Sequence, residues 1–271
     1  MDIISSILLG LVQGITEFLP VSSTGHLVLA RLLFDIQDGA SSLAFDAMLH
    51  LATAGAVIVY FFDELYVLFQ TVLRKFGRLP VNEKDFLIVK ALLIGTIPAV
   101  IAGLLLESYM NAALRSPFIV AGMLVGGAFL FMYAEYVYEN SFHTGEMNVK
   151  TGFKIGLFQV LALIPGMSRS GATIAGGMIL GLSRADATRF SFLLAIPVIL
   201  GAGSKKIFEL IASPVSVSWT AIAVGALVAF AVGLAAIHFM VSFIRKHTLW
   251  PFIWYRIVLA VFIVFVAFFG R

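Results

Sequence analysis

The 271 residues are 61% hydrophobic and only 12% charged, with a mean hydropathy of +1.03, a balance that excludes an ordinary water-soluble domain. The net charge of +3 is too small and too scattered to hold a nucleic acid, and the absence of cysteine excludes disulfides and thiolate chemistry.

The chain opens on Met1-Asp2-Ile3-Ile4-Ser5-Ser6, without the basic region and small-residue cleavage site of a secretory signal, so the N-terminus is expected to be retained. An apolar piece at about 2–33 follows, interrupted around Pro20-Val21-Ser22-Ser23-Thr24-Gly25. Three uninterrupted stretches come next, at about 44–72, 87–106 and 117–138, each near the length that crosses a hydrocarbon core of roughly 30 Å. A second interrupted piece at about 151–182 breaks around Pro165-Gly166-Met167-Ser168-Arg169-Ser170-Gly171, and stretches at about 187–211, 218–243 and 250–270 complete the chain. The predicted fold is therefore an all-α polytopic membrane protein with six transmembrane helices and two re-entrant helical hairpins, in a single membrane domain over 1–271. Non-helical backbone at membrane depth is tolerated only where protein or a wet cavity satisfies it, which places both hairpins inside the bundle.

The two interrupted pieces resemble each other. Gly10-Leu11-Val12-Gln13 recurs as Gly156-Leu157-Phe158-Gln159, Pro20 as Pro165, Ser23-Thr24-Gly25 as Arg169-Ser170-Gly171 and Phe45 as Phe190, a period of about 146 residues. Repeat one covers 1–138 and repeat two 151–271. If each contains one hairpin that returns and three helices that cross, the second repeat enters from the opposite face, so the topology is inverted. Arg74, Lys75, Arg78, Lys84, Lys150, Lys154, Arg245 and Lys246 then share one face, which the positive-inside rule makes cytoplasmic; Lys205 and Lys206 count against it. Both termini are expected to be external. Inverted repeats with broken helices place a site near the bilayer midplane, where the two breaks meet.

The polar residues of the breaks supply chemistry. Gln13 and Glu17 project from one helical face toward Pro20, and Ser23 and His26 share a face at the start of the next short helix. Ionisable groups inside a membrane are costly and mark function by default. Structural alternatives stand beside this: Glu17 as an ion-pair partner, and Ser22, Ser23 and Thr24 as helix caps. In the second break, Ser168, Arg169, Ser170, Gly171 and Thr173 combine hydroxyls, a guanidinium and helix N-terminal amides, a cradle for an oxyanion or phosphate. Arg169 either grips that anion or neutralises Glu17, and one residue can do both in turn. Asp46, His50 and Thr53 lie at helical spacing near the start of the first span, where they either line the cavity or serve the structure, a structural role being the expectation. Arg256 and Glu135 are expected to pair or to lie near an interface, and His238 and His247 have no partner at motif spacing. No HExxH, aspartate pair or EF-hand loop is present. Mg²⁺ or Ca²⁺ is expected only through Glu17, the Gln13 carbonyl and phosphates of a substrate.

Gln13-Gly14-Ile15-Thr16-Glu17-Phe18-Leu19-Pro20-Val21-Ser22-Ser23-Thr24-Gly25-His26 and Pro165-Gly166-Met167-Ser168-Arg169-Ser170-Gly171 closely resemble the two signature motifs of the bacterial undecaprenyl-diphosphate phosphatases of the BacA/UppP family. The similarity runs essentially end to end. It implies hydrolysis of undecaprenyl diphosphate to the monophosphate lipid carrier for peptidoglycan synthesis, an association with bacitracin resistance, and residence in the bacterial inner membrane. It also implies catalytic roles for Glu17, Ser23, His26 and Arg169, with Ser22, Thr24, Ser168, Ser170, Gly171 and Thr173 as the phosphate-binding group. Either Ser23 attacks phosphorus while His26 moves the proton, or His26 attacks and Glu17 activates water. Ser23-Thr24-Gly25-His26 is also similar to an element of the lipid phosphatases related to acid phosphatases. Those need a spaced His-Asp pair after the arginine, and after Arg169 no histidine occurs before His238. The expected partners are a polyprenyl diphosphate and membrane lipids, with room for a homodimer. From architecture alone, a secondary transporter or lipid-carrier flippase fits the same repeat.

Overall fold

A computed structural model describes residues 2–36, 40–112, 116–141, 145–211 and 218–269. All regular structure among them is helical: α1 (Ile3–Phe18), α2 (Ser23–Phe34), α3 (Ala40–Tyr60), α4 (Phe62–Phe76), α5 (Glu83–Ala112), α6 (Pro117–Asn140), α7 (Val149–Leu161), α8 (Arg169–Ile179), α9 (Arg184–Ile211), α10 (Trp219–Ile244) and α11 (Trp250–Phe269). Five helices (α5, α6, α9, α10 and α11) are long and apolar enough to cross a membrane, and the bent pair α3–α4 makes up to six.

The stretch read as one span at 44–72 is two helices, bent by 81° after Tyr60. The break has a physical reason in the sequence beyond it. In α4 the apolar residues Phe62, Tyr66, Phe69, Leu73 and Phe76 form one exposed stripe, while Asp63, Glu64, Arg74 and Lys75 sit in its first and last turns. That pattern suits a helix lying along a membrane surface better than one crossing it. The α3 segment, 21 residues, reaches about 31 Å at the helical rise.

The two interrupted pieces are each a helix, a break and a shorter helix, α1–α2 and α7–α8. Asp2 caps α1 through its carboxylate, which accepts the Ser5 amide at 2.8 Å, and the Ser5 amide and hydroxyl hold that carboxyl below its ordinary range. The α1 helix ends at Phe18 because Leu19, before Pro20, is extended. The short helices α2 and α8 begin alike. Ser22 and Ser168 take positive φ angles of 75° and 72°, and their hydroxyls accept the amides of Gly25 and Gly171 at 3.3 and 3.2 Å. The repeat read from the sequence thus extends to backbone conformation at positions 146 residues apart.

Packing exchanges partners between the halves. α1 lies along α10, and α7 lies along α5. A Cβ placed on Gly10 would meet the Gly225 carbonyl, and one on Gly156 would meet the Gly95 carbonyl. Small residues let helix backbones approach in this way where lipid supplies no hydrophobic force between helices. Gly156→Ala is accordingly expected to destabilise the protein by about 1–3 kcal/mol through overpacking. Gly126→Ala, where a Cβ meets nothing within 4 Å, should not; thermal unfolding of both variants in detergent tests the contrast.

Candidate active site

The two breaks meet around one carboxylate. Glu17, at the end of α1, is 7% exposed, and its Oε1 accepts Arg169 Nη2 of the second hairpin at 2.9 Å. Its Oε2 accepts the Ser23 hydroxyl at 2.9 Å and Gln13 Nε2 at 3.0 Å, with His50 Nδ1 at 3.3 Å. Gln13 Nε2 also lies 2.8 Å from His50 Nδ1. A second nitrogen of Arg169 donates to the Ser191 carbonyl at 3.2 Å. Ser170 ties the hairpins directly, its hydroxyl reaching the carbonyls of Glu17 and Leu19 at 3.2 and 3.4 Å.

A cavity of about 850 Å³ opens onto this cluster, lined by Glu17, Ser22, Ser23, Thr24, His50, Gln159, Ser168 and Arg169 among others. The first amides of α2 and α8 have no intrahelical partners, so each N-terminus adds donors and a partial positive charge beside the cavity. The lining also includes Leu27, Val28, Leu32 and Ile36, with the ion pair of buried Arg31 and half-buried Asp46 at 2.6 Å. A lining that combines charged and hydroxyl groups with apolar side chains suits an amphiphile carrying a charged head.

Several predicted site residues stand elsewhere. His26 does not line the cavity. Its Nδ1 lies 2.7 Å from the Ser22 carbonyl and its Nε2 2.7 Å from the Tyr255 hydroxyl, over which the ring is stacked. A carbonyl only accepts, so Nδ1 carries the proton and Nε2 accepts from Tyr255. Although Ser23 and His26 are three apart, the serine turns toward Glu17 and the histidine toward α11. Ser170 is held by the carbonyls named above, and Thr173 is turned inward to Arg169 O and Ser191 Oγ at 2.8 and 2.6 Å. The Gly171 amide is spent on capping. These three residues build the scaffold of the cradle and do not line it. His50, expected to be structural, sits on Glu17 instead. Its approach from α3 across 33 residues of chain leaves no short-range pattern in the sequence.

Arg256 was also misplaced by the sequence reading. It is fully buried and donates to four carbonyls: Leu124 at 3.0 Å, Pro20 at 3.2 Å, Met123 at 3.1 Å and Gly166 at 3.1 Å. Its guanidinium also lies over the Phe131 ring, 4.9 Å from the centroid. Pro20 and Gly166 belong to the two breaks, so one side chain from the last helix satisfies backbone oxygens of both. Glu135 does not pair with it. That carboxylate binds Arg184 and the Leu249 amide.

Of the two residues expected to hold a divalent cation, Gln13 keeps a buried Oε1 without a hydrogen-bond partner, whereas Glu17 is engaged by donors. Both Glu17 oxygens are taken by donors, a guanidinium and an imidazole lie within 3.3 Å, and no cluster of three or more His, Asp or Glu able to hold a metal occurs among the described residues.

Comparison with known proteins decides the family. Residues 6–262 match the family model described as bacitracin resistance protein BacA. The chain belongs to this family. It is 39% identical over 262 residues to the undecaprenyl-diphosphatase of Idiomarina loihiensis, covering 96% of this chain and 97% of the relative. It is 41% identical over 259 residues to that of Nitrosococcus oceani, at 96% and 97% coverage, and 39% identical to that of Rubrobacter xylanophilus, at 96% of each.

Within this family's chain, Arg256→Met is expected to leave four buried carbonyls without their donor and to lower stability by about 3 kcal/mol or more. Thermal unfolding and phosphate release measured on the same preparation should fall together, because both breaks lose their anchor.

Proposed function

We propose that the protein removes the terminal phosphate of undecaprenyl diphosphate, yielding undecaprenyl phosphate and inorganic phosphate. The observation that carries the reading is the contact of Glu17 with Ser23 and Arg169 in a cavity that apolar side chains also line. A hydroxyl, a base and a guanidinium from two separate hairpins converge there. The relatives' name is that of an enzyme acting on this diphosphate.

The diphosphate resists hydrolysis because its negative charge repels nucleophiles. Arg169 and the free amides opening α2 and α8 offset that charge as it shifts in the transition state. Ser23 is the nucleophile. Its hydroxyl already donates to Glu17 Oε2, so the proton passes to Glu17 as the serine oxygen bonds to the terminal phosphorus. The bridging P–O bond breaks and polyprenyl phosphate departs. Glu17 gives that proton to the departing polyprenyl phosphate and, ionised again, takes a proton from water as the water oxygen attacks the phosphoserine; the Ser–O–P bond breaks, Glu17 returns the proton to the serine oxygen and phosphate leaves. His50 and Gln13 hold the same carboxylate oxygen, Oε2, that accepts Ser23. His26 acts at one remove, holding the backbone of Ser22 and thereby the start of α2.

The ion pair between Arg169 and Glu17 is a resting state. An incoming phosphate competes for the guanidinium and frees one carboxylate oxygen, coupling substrate arrival to activation of the base. Mg²⁺ or Ca²⁺ would be held by the Gln13 carbonyl and Glu17 together with the substrate and would offset phosphate charge; no step above depends on it. The first hairpin opens outward in the inner membrane, with both termini external and the basic loops cytoplasmic. That arrangement suits diphosphate released at the outer face. The relatives are named for hydrolysis, so the transporter expectation is set aside.

Phosphate release from a polyprenyl diphosphate by purified protein in detergent tests the proposal without any transmembrane gradient. Ser23→Ala and Arg169→Ala are each expected to lose about 10³-fold or more in kcat/KM. His50→Leu should lose about tenfold to a hundredfold, mainly in kcat, and His50→Gln should recover part of it by restoring a donor to Glu17. Equal release by wild type and the Ser23 and Arg169 variants would overturn the reading.

A further inference from the structure

The cavity contains a buried amide that the mechanism above leaves unused. Gln159, in the last turn of α7, is 2% exposed, yet neither its Nε2 nor its Oε1 has a hydrogen-bond partner. It lines the same cavity as Arg169, Ser168 and Ser23. A carboxamide buried without partners is a standing cost to the fold, and folded proteins pair nearly all such groups.

The repeat explains how the amide came to stand alone. Gln159 is the counterpart of Gln13, 146 residues earlier. Gln13 has partners for its Nε2 because Glu17 and His50 lie beside it. In the second hairpin the counterpart of Glu17 is Leu163, and α9 offers Ala195 and Ile196 at the register of His50. The glutamine is present in both halves, but its partners occur in only one. Meanwhile the counterpart of Ser23 is Arg169, so the second half holds a cation and a free amide where the first holds a nucleophile and its base.

We propose that Gln159 is a substrate-positioning residue whose Nε2 donates to an oxygen of the diphosphate held against Arg169. Its Oε1 accepts from a water or a protonated phosphate oxygen of the same ligand. The second hairpin then grips the head group with a charge and a directional donor together. A neutral amide in this place adds orientation without attracting a competing anion, and it tolerates the change in phosphate charge on turnover. This inference rests on the phosphatase reading.

The test separates the two. In a Ser23→Ala background, binding of a C15 prenyl diphosphate is measured by titration calorimetry in detergent, with and without Gln159→Leu. Turnover and melting temperature are measured for Gln159→Leu and Gln159→Glu alone. Gln159→Leu is expected to weaken binding about tenfold or more and to raise KM in step, with kcat changed less. Its melting temperature should hold or rise, because an orphan amide has been replaced by an apolar side chain of similar size. Gln159→Glu should bind more weakly still, with a carboxylate facing phosphate. Unchanged binding and KM in Gln159→Leu would overturn the inference, as would a fall in melting temperature that accounts for the lost activity. Failure of the phosphatase reading shows separately, as undiminished turnover in Ser23→Ala.

Discussion

The bond between Glu17 and Arg169 is the constraint on which the rest of the structure depends. Each is an ionised group in a chain whose surroundings are overwhelmingly apolar, and neither is tolerable there alone; removing one partner from such a buried pair typically costs about 3–5 kcal/mol. They lie 152 residues apart in sequence, on different hairpins, and meet at 2.9 Å. For that to happen, both breaks must meet, and each break leaves backbone carbonyls outside helical pairing. Ser170 and Arg256 resolve this by donating to the carbonyls of the turns. In the proposed mechanism the same ion pair covers a carboxylate oxygen that is freed when phosphate takes the arginine.

The two halves share a frame and divide the chemistry. Ser22 and Ser168 open α2 and α8 with matching backbone and matching caps. Gly10 on Gly225 and Gly156 on Gly95 bring the long arms equally close to their neighbours. Upon this common frame the side chains diverge: Ser23 against Arg169, Glu17 against Leu163. Exchange of partners, α1 on α10 and α7 on α5, binds each half to the other, so neither hairpin folds around its own half alone. A site assembled from equivalent positions obtains two helix N-termini aimed at one anion without a long loop to carry them.

The all-helical fold, the two interruptions and the pairing of their motifs were legible in the sequence, because apolar length and local breaks are properties of neighbouring residues. Glu17, Ser23 and Arg169 could be singled out since charge and hydroxyl groups at a break have few bland explanations. The position of His26 could not. Spacing places it with Ser23 on one face, but the positive φ at Ser22 and the proximity of Tyr255, 229 residues away, decide where its ring points. His50 and Arg256 escaped for the same reason: their partners are remote, and a lone polar residue in an apolar helix carries no signature of what it meets. The bend after Tyr60 was hidden because composition over 44–72 averages a crossing helix with a surface one. Only the stripe Phe62, Tyr66, Phe69, Leu73 and Phe76, read by its own period, marks the difference.

The central claim is that Ser23 of the first hairpin attacks a phosphate gripped by Arg169 of the second. Rapid mixing with polyprenyl diphosphate labelled with ³²P in its terminal phosphate, followed by parallel acid and alkaline quenches and peptide mapping, tests it most directly. Phosphoserine survives acid and phosphohistidine survives alkali. The expected result is acid-stable label on the peptide containing Ser23, formed at least as fast as phosphate is released. Label on a histidine peptide, or steady turnover with no labelled protein under either quench, would contradict it.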